Sequence, residues 1–182
     1  MNKQDKPTTK EYTMGFRKAN LYAFLLIIPV YIVYLWLFTY VWGKETLEMG
    51  KEIVFNNFLP ILIVGITVHE LLHGITWGFF ASKKMKSIKF GFKWKYLTPY
   101  CHCKEPLKVK HYKLGGAMPL VVLGIIPSVF GIVVGNGTFF FFGLLFTMAA
   151  TGDILILIML KKLNNNQYVS DHPDKMGFYI EE

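Results

Sequence analysis

Four long apolar blocks constrain this chain more than any other feature. Leu21 to Trp42 carries no charge, and Asn57 to Ala81, Leu114 to Val134 and Thr138 to Leu160 are nearly as apolar. Each is long enough to cross a hydrocarbon layer of ~30 Å as an α-helix. A chain of 182 residues, 53% of them apolar, could instead build one soluble core, but such a core draws on apolar residues spread through its elements rather than gathered in blocks. The sequence therefore predicts an all-α membrane protein, a single integral membrane domain over residues 1–182 with spans near 21–42, 57–81, 114–134 and 138–160. Basic residues precede the first block, as in a secretory signal. At about 22 residues, however, the block exceeds the usual 7–15-residue apolar region, and it lacks a small-residue cleavage pattern.

The basic residues set the expected topology. Of 20 Lys and Arg, five precede the first span, ten lie between Lys83 and Lys113, and three follow the fourth span. Lys44 and Lys51 fall in the first connection, and the turn at Gly135-Asn136-Gly137 has none. Cytoplasmic flanks are enriched in Lys and Arg, so a cytoplasmic location for both termini and the 82–113 loop accounts for 18 of the 20. Trp36, Tyr40 and Trp42 then mark the outer end of the first span. The net charge of +8 sits between apolar blocks rather than on a soluble face, which argues against a nucleic-acid partner and for contact with membrane lipids. Cys101 and Cys103 fall in the cytoplasmic loop, where thiols stay reduced.

An ionisable residue costs about 2.5–3.5 kcal/mol at the bilayer centre on insertion scales, so one that remains in a span is a candidate for function. Four such residues occur here. Three form His69-Glu70-Leu71-Leu72-His73 in the second span. At about 3.6 residues per turn, His69 and His73 project from one face and can clamp one ion. Glu70 lies about 100° around the helix from His69, placed to reach a water on that ion as general base rather than as ligand. A lone buried histidine would be read as a satisfied core residue; two at this spacing with an acid between them read as a zinc site.

Catalytic zinc usually takes three protein ligands and leaves the fourth position for water. A metzincin extension would require glycine at 76 and histidine at 79, where the chain has Thr76 and Phe79. A glutamate some twenty residues on, as in thermolysin, is also missing, since the stretch there reads Phe92-Lys93-Trp94-Lys95. The fourth ionisable residue, Asp153 in the last span, is then the expected third ligand. His73 lies about 15 Å before Lys83 and Asp153 about 12 Å before Lys161, which brings both to one depth. Gly152, and the pair Gly74 and Gly78, would permit close helix approach.

Apolar residues alternate with others from Ile88 to Tyr96, and a second alternation runs through Leu107-Lys108-Val109-Lys110, which predicts a β-hairpin at the cytoplasmic surface. Its free edge would accept an extended substrate by strand addition, or the hairpin would simply anchor the protein. Cys101-His102-Cys103 could bind a second metal but has no partner pair elsewhere. The tail Ser170-Asp171-His172-Pro173-Asp174 is polar, and His172 is a second choice for the third ligand.

At His69 to Gly74 (HELLHG), Tyr100 to Val109 (YCHCKEPLKV), Gly152 to Ile154 (GDI), and the tail DHP followed by Gly177-Phe178, the chain resembles a bacterial family of uncharacterised membrane proteins grouped as zincin peptidases. The likeness runs from the second span to the C terminus. The arrangement is also similar to that of site-2-protease-type intramembrane metalloproteases, which pair an HExxH helix with an aspartate on a later helix. That likeness implies His69, His73 and Asp153 as ligands and Glu70 as base, in a protein of the bacterial cytoplasmic membrane. It departs from the pattern after the aspartate, where Ile154 stands in place of the usual glycine. The expected function is zinc-dependent hydrolysis of a peptide or membrane-protein substrate in or near the membrane. The rival is a metal carrier or sensor using the same ligands without proteolysis, against which few polar residues line a continuous path; a third reading is a non-catalytic binding partner.

Overall fold

The computed structural model describes residues 10–94, 98–172 and 175–181. The expectations placed on Lys3, Lys6, Lys95, Tyr96, Pro173 and Asp174 lie outside them. Helix α1 runs from Phe16 to Asn56 and contains one break, at Gly43, where φ is 78° and ψ 171°. The first connection is therefore not a loop. Beyond Gly43 the chain is rich in strong helix formers (Glu45, Leu47, Glu48, Met49, Lys51) and stays helical, with an ion pair between Lys51 and Glu48. Only Asn57 separates α1 from α2, Phe58–Phe80.

Helix α3, Val109–Pro119, continues through a π-helical turn at Leu120–Ile125 into α4, Ile126–Val134. This run begins at Val109, five residues before the expected boundary at Leu114. The widened turn falls between two prolines, Pro119 and Pro127, whose missing N–H groups interrupt the regular ladder. Helices α5, Gly137–Ala149, and α6, Thr151–Leu160, are bent by 53° at Ala150, so the last apolar block is broken rather than straight. The hydroxyls of Thr147 and Thr151 bond back to the Gly143 and Met148 carbonyls at 2.8 and 2.9 Å, a pattern that bends helices. Among the described residues, three helical segments are long and apolar enough to cross a membrane, and the bent pair makes a fourth if it counts as one span.

The helices pack through small residues and aromatic rings. Gly50 lies against the backbone of Gly137, and the Phe146 ring occupies the space a side chain at Gly65 would need. Phe38, Leu47 and Val54 of α1 meet Phe140, Phe141 and Leu144 of α5. Much of α1 still presents large apolar side chains outward, among them Phe24, Leu25, Ile32 and Trp36.

Strands β2, Ile88–Lys93, and β3, Thr98–Cys103, form an antiparallel hairpin in which Ile88 faces Cys103 and Phe92 faces Pro99. The second strand of this hairpin is therefore at 98–103, not at 107–110. Leu107–Lys108 forms a two-residue strand β4, and Val109 already opens α3. The alternation at 107–110 arises from burial across that junction, where Leu107 and Val109 both enter the core.

A second sheet extends the expected fold. Strand β1, Lys10–Met14, pairs with β6, Met176–Glu181, which pairs with β5, Tyr168–Asp171, which pairs with β4. The tail is thus more than a polar extension, since Val169, Phe178 and Ile180 join a core with Trp77, Tyr112 and Leu160. Because β1 precedes α1, β4 lies between α2 and α3, and β5 and β6 follow α6, these three parts of the chain meet on one side of the helices.

Candidate metal centre

Helix α2 can present polar groups because its apolar character is carried by the rest of its surface. Its buried stripe is Gly65, His73, Gly74, Trp77 and Gly78. The Phe90 ring and Ile88 lie over Gly74, and Met85 and Ile88 lie over Gly78. These glycines admit the hairpin and the turn before it, rather than another helix. Gly152, whose nearest neighbour for an added Cβ would be the end of Met176 at 3.4 Å, is not a close helix contact either.

Asp153 stands in the first turn of α6, immediately after the bend. Starting a new helix at Thr151 places its carboxylate near a positive helix end, which favours the anion. The bend also turns it toward α2. Asp153 Oδ2 is 3.1 Å from His69 Nε2 and Oδ1 is 3.3 Å from His73 Nε2, while the two Nε2 atoms are 3.3 Å apart. Ligand atoms of all three residues lie within 4.8 Å of one another.

Two ligands held about 2.0–2.1 Å from a tetrahedral zinc are separated by roughly 3.3 Å, which the two Nε2 atoms match, and the carboxylate reaches His69 through one oxygen and His73 through the other. The donor chemistry fits as well. His73 Nδ1 is 2.8 Å from the Gly115 carbonyl, which can only accept, so Nδ1 carries the proton and Nε2 offers its lone pair toward His69 and Asp153. A neutral His73 has no proton to place between its Nε2 and the carboxylate. A metal ion held at the centre would supply the positive charge that these lone pairs face.

Sequence reasoning passed over the residues that support His73. Its ring stacks on Trp77 with centroids 5.0 Å apart, and Trp77 stacks on Tyr112 at 5.1 Å. Trp77 Nε1 donates to the Tyr112 carbonyl at 3.1 Å. A side chain at Gly115 would collide with the Trp77 ring, its Cβ lying 2.1 Å from Nε1. The signal available in the sequence was the Gly115-Gly116 pair at the start of an apolar block.

Glu70 lies outside the three-residue group. Its carboxylate neighbours His73, His69 and Asp153, and the backbone N–H of Cys101 is turned toward it. Lys104 N bonds to Ser87 O, which by antiparallel alternation points the N–H groups of residues 101 and 103 away from β2. The β3 edge beside the site is not free on its donor side: Cys101 N–H is turned toward Glu70, Cys103 N–H donates to Asp171 Oδ2 at 2.9 Å, and Pro99 has no N–H.

Cys101, His102 and Cys103 do not form a second metal group among the described residues. Both cysteines are free thiols, and burial pushes their pKa values up, away from the thiolate that a metal requires. His102 Nδ1 is instead 3.1 Å from Asp171 Oδ2. His172 is not among the grouped ligands: its Nδ1 accepts from Lys175 N at 2.9 Å, and its ring stacks on Tyr179 at 4.9 Å.

Fold and site together define a mostly helical chain, apolar enough to cross a membrane, with two histidines and a carboxylate that could hold a metal ion. Residues 62–168 match the model of a family described as "Putative zincin peptidase", and the chain belongs to that family. Membership points to a zinc metallopeptidase. The matched range contains His69, Glu70, His73 and Asp153 but ends before Asp171. No curated protein and no solved structure matches the chain.

Proposed function

We propose that this protein is a zinc-dependent, membrane-embedded peptidase with His69, His73 and Asp153 as ligands and Glu70 as general base. The observation that carries the proposal is the convergence of three ligand atoms within 4.8 Å on helices apolar enough to lie in a bilayer. Zinc held there would polarise a peptide carbonyl and lower the pKa of a water toward ~7. Glu70 takes the proton from the attacking water and delivers it to the leaving amine nitrogen. The Gly115 carbonyl keeps His73 in the tautomer that coordinates.

The four-stranded sheet supports a reading with four crossings. Its strands come from both ends of the chain and from the loop before α3, so the number of crossings before each is even. The bent α5–α6 pair then serves as the fourth span, and the centre lies on the side of the basic loop. With 18 of 20 Lys and Arg on that side, it is the cytoplasmic side of a bacterial cytoplasmic membrane. The arrangement is that of a site-2-protease-type enzyme acting on a peptide or membrane protein.

The test is reconstitution with peptides that span or enter the bilayer, with products read by mass spectrometry. Cleavage that a chelator stops and zinc restores is expected. Zinc crossing the vesicle wall with every peptide intact would replace this reading with a metal carrier.

A further inference from the structure

We infer that Asp171, in the tail beyond the range matched by the family, is a positioning residue that sets the geometry of the metal centre through β3 and α3 together. The inference rests on the zinc-peptidase reading above. Asp171 closes strand β5, and its side chain is 11% exposed. Oδ1 accepts from the Tyr112 hydroxyl, and Oδ2 accepts from Cys103 N–H at 2.9 Å and lies 3.1 Å from His102 Nδ1.

Each of these donors belongs to an element that touches the centre. Strand β3, which supplies Cys103 and His102, packs against α2 beside Glu70, with the Cys101 N–H turned toward that carboxylate. Helix α3, which supplies Tyr112, carries the Gly115 carbonyl that fixes His73, and the Tyr112 carbonyl and ring hold Trp77 against His73. One carboxylate therefore ties the strand behind the base to the helix behind a ligand. The tie is separate from the sheet itself, because the β5–β6 ladder already places Asp171 opposite Phe178 and His172 N–H bonds to Gly177 O.

Three donors converging on one group call for an acceptor without protons, which an ionised carboxylate is and an amide is not. In Asp171→Asn the amide oxygen can keep Cys103 N–H and His102, but the negative charge is lost and the NH₂ group faces the Tyr112 hydroxyl, which must turn from donor to acceptor. The expected consequence is a small displacement of β3 against α3, at a site whose supporting geometry tolerates only about half an ångström. Outer partners of metal ligands typically influence metal affinity by about 10–100-fold.

The experiment uses the full chain in detergent, loaded with cobalt(II) in place of zinc, and follows the visible cobalt spectrum together with zinc affinity by chelator competition. Asp171→Asn should keep its helical circular dichroism while its cobalt band shifts and its zinc affinity falls by about 10–100-fold. Tyr112→Phe, which deletes one of the three contacts and no backbone group, should move both readouts the same way and decides the matter if Asp171→Asn does not fold. Glu181→Gln is the control, since Glu181 accepts from Ser170 Oγ at 2.5 Å within the same sheet and pairs with Tyr168 across the β5–β6 ladder. Its spectrum should match wild type. A folded Asp171→Asn or Tyr112→Phe with wild-type spectrum and affinity overturns the inference, as does an equal shift in Glu181→Gln. Failure of the wild type to take up cobalt or zinc overturns the metal reading itself and this inference with it.

Discussion

His73 Nε2 and Asp153 Oδ1 approach to 3.3 Å although one stands in the middle of α2 and the other in the first turn of α6. The contact depends on the bend at Ala150, which gives Asp153 the start of its own helix. If this pair and His69 hold zinc, purified protein contains about one zinc per chain, and His73→Ala and Asp153→Ala each lose it. Elemental analysis of detergent-purified protein measures this directly. Full zinc content in Asp153→Ala would remove the carboxylate from the ligand set.

Glu70 separates binding from chemistry. It neighbours the three ligands without joining their group, so Glu70→Gln should retain the metal and lose hydrolysis by at least the 10²–10⁴-fold typical of general-base removal, roughly. Zinc content and cleavage of a membrane-inserted peptide, measured on the same preparation, check the pair of outcomes. A carrier or sensor using these ligands would keep its activity in this variant.

Much of the centre was legible in the sequence because its signals are local. Two histidines at i and i+4 in an apolar helix define a face, and Asp153 was the one acid in another apolar block. The four-stranded sheet was not legible, because its strands come from three distant parts of the chain and two of them carry only short alternations, at Tyr168–Asp171 and Lys10–Met14. The hairpin partner was misplaced for a related reason: Leu107 and Val109 are both buried, which imitates a strand, while the true partner at Thr98–Cys103 is masked by Pro99 and by polar His102. The support of His73 was hidden because it uses a backbone carbonyl, at Gly115, which no side-chain pattern reveals.

That carbonyl yields a test of how closely α2 and α3 must pack. A Cβ at Gly115 would lie 2.1 Å from Trp77 Nε1, closer than any real contact, so Gly115→Ala must push Trp77 or α3 aside. Overpacking of this kind costs about 1–3 kcal/mol. Because the same shift disturbs the bond from His73 Nδ1, zinc affinity should fall by about 10–100-fold. Thermal unfolding and chelator competition report the two effects separately, and a variant that loses stability while keeping wild-type affinity would show that the carbonyl does not tune the centre.

Glu105 gives a dependence on pH outside the apolar helices. Its carboxylate accepts from the Ser87 hydroxyl, from Ser82 N–H at 2.9 Å and from Lys83 N–H at 3.3 Å, closing the turn that follows α2. The Ser87 bond, followed by that from Ser82, holds its pKa below the ordinary carboxylate value. A lowered folded pKa means that this contribution is fully present above about pH 4.3, the unfolded value, and is lost as the pH falls through the folded one. Glu105→Gln should therefore unfold at a lower temperature than wild type at pH 7, and the gap should close as the pH is lowered into the acid range. Melting curves at several pH values test it; a gap that stays constant down to acid pH would mean that the charge on Glu105 contributes nothing to holding the turn.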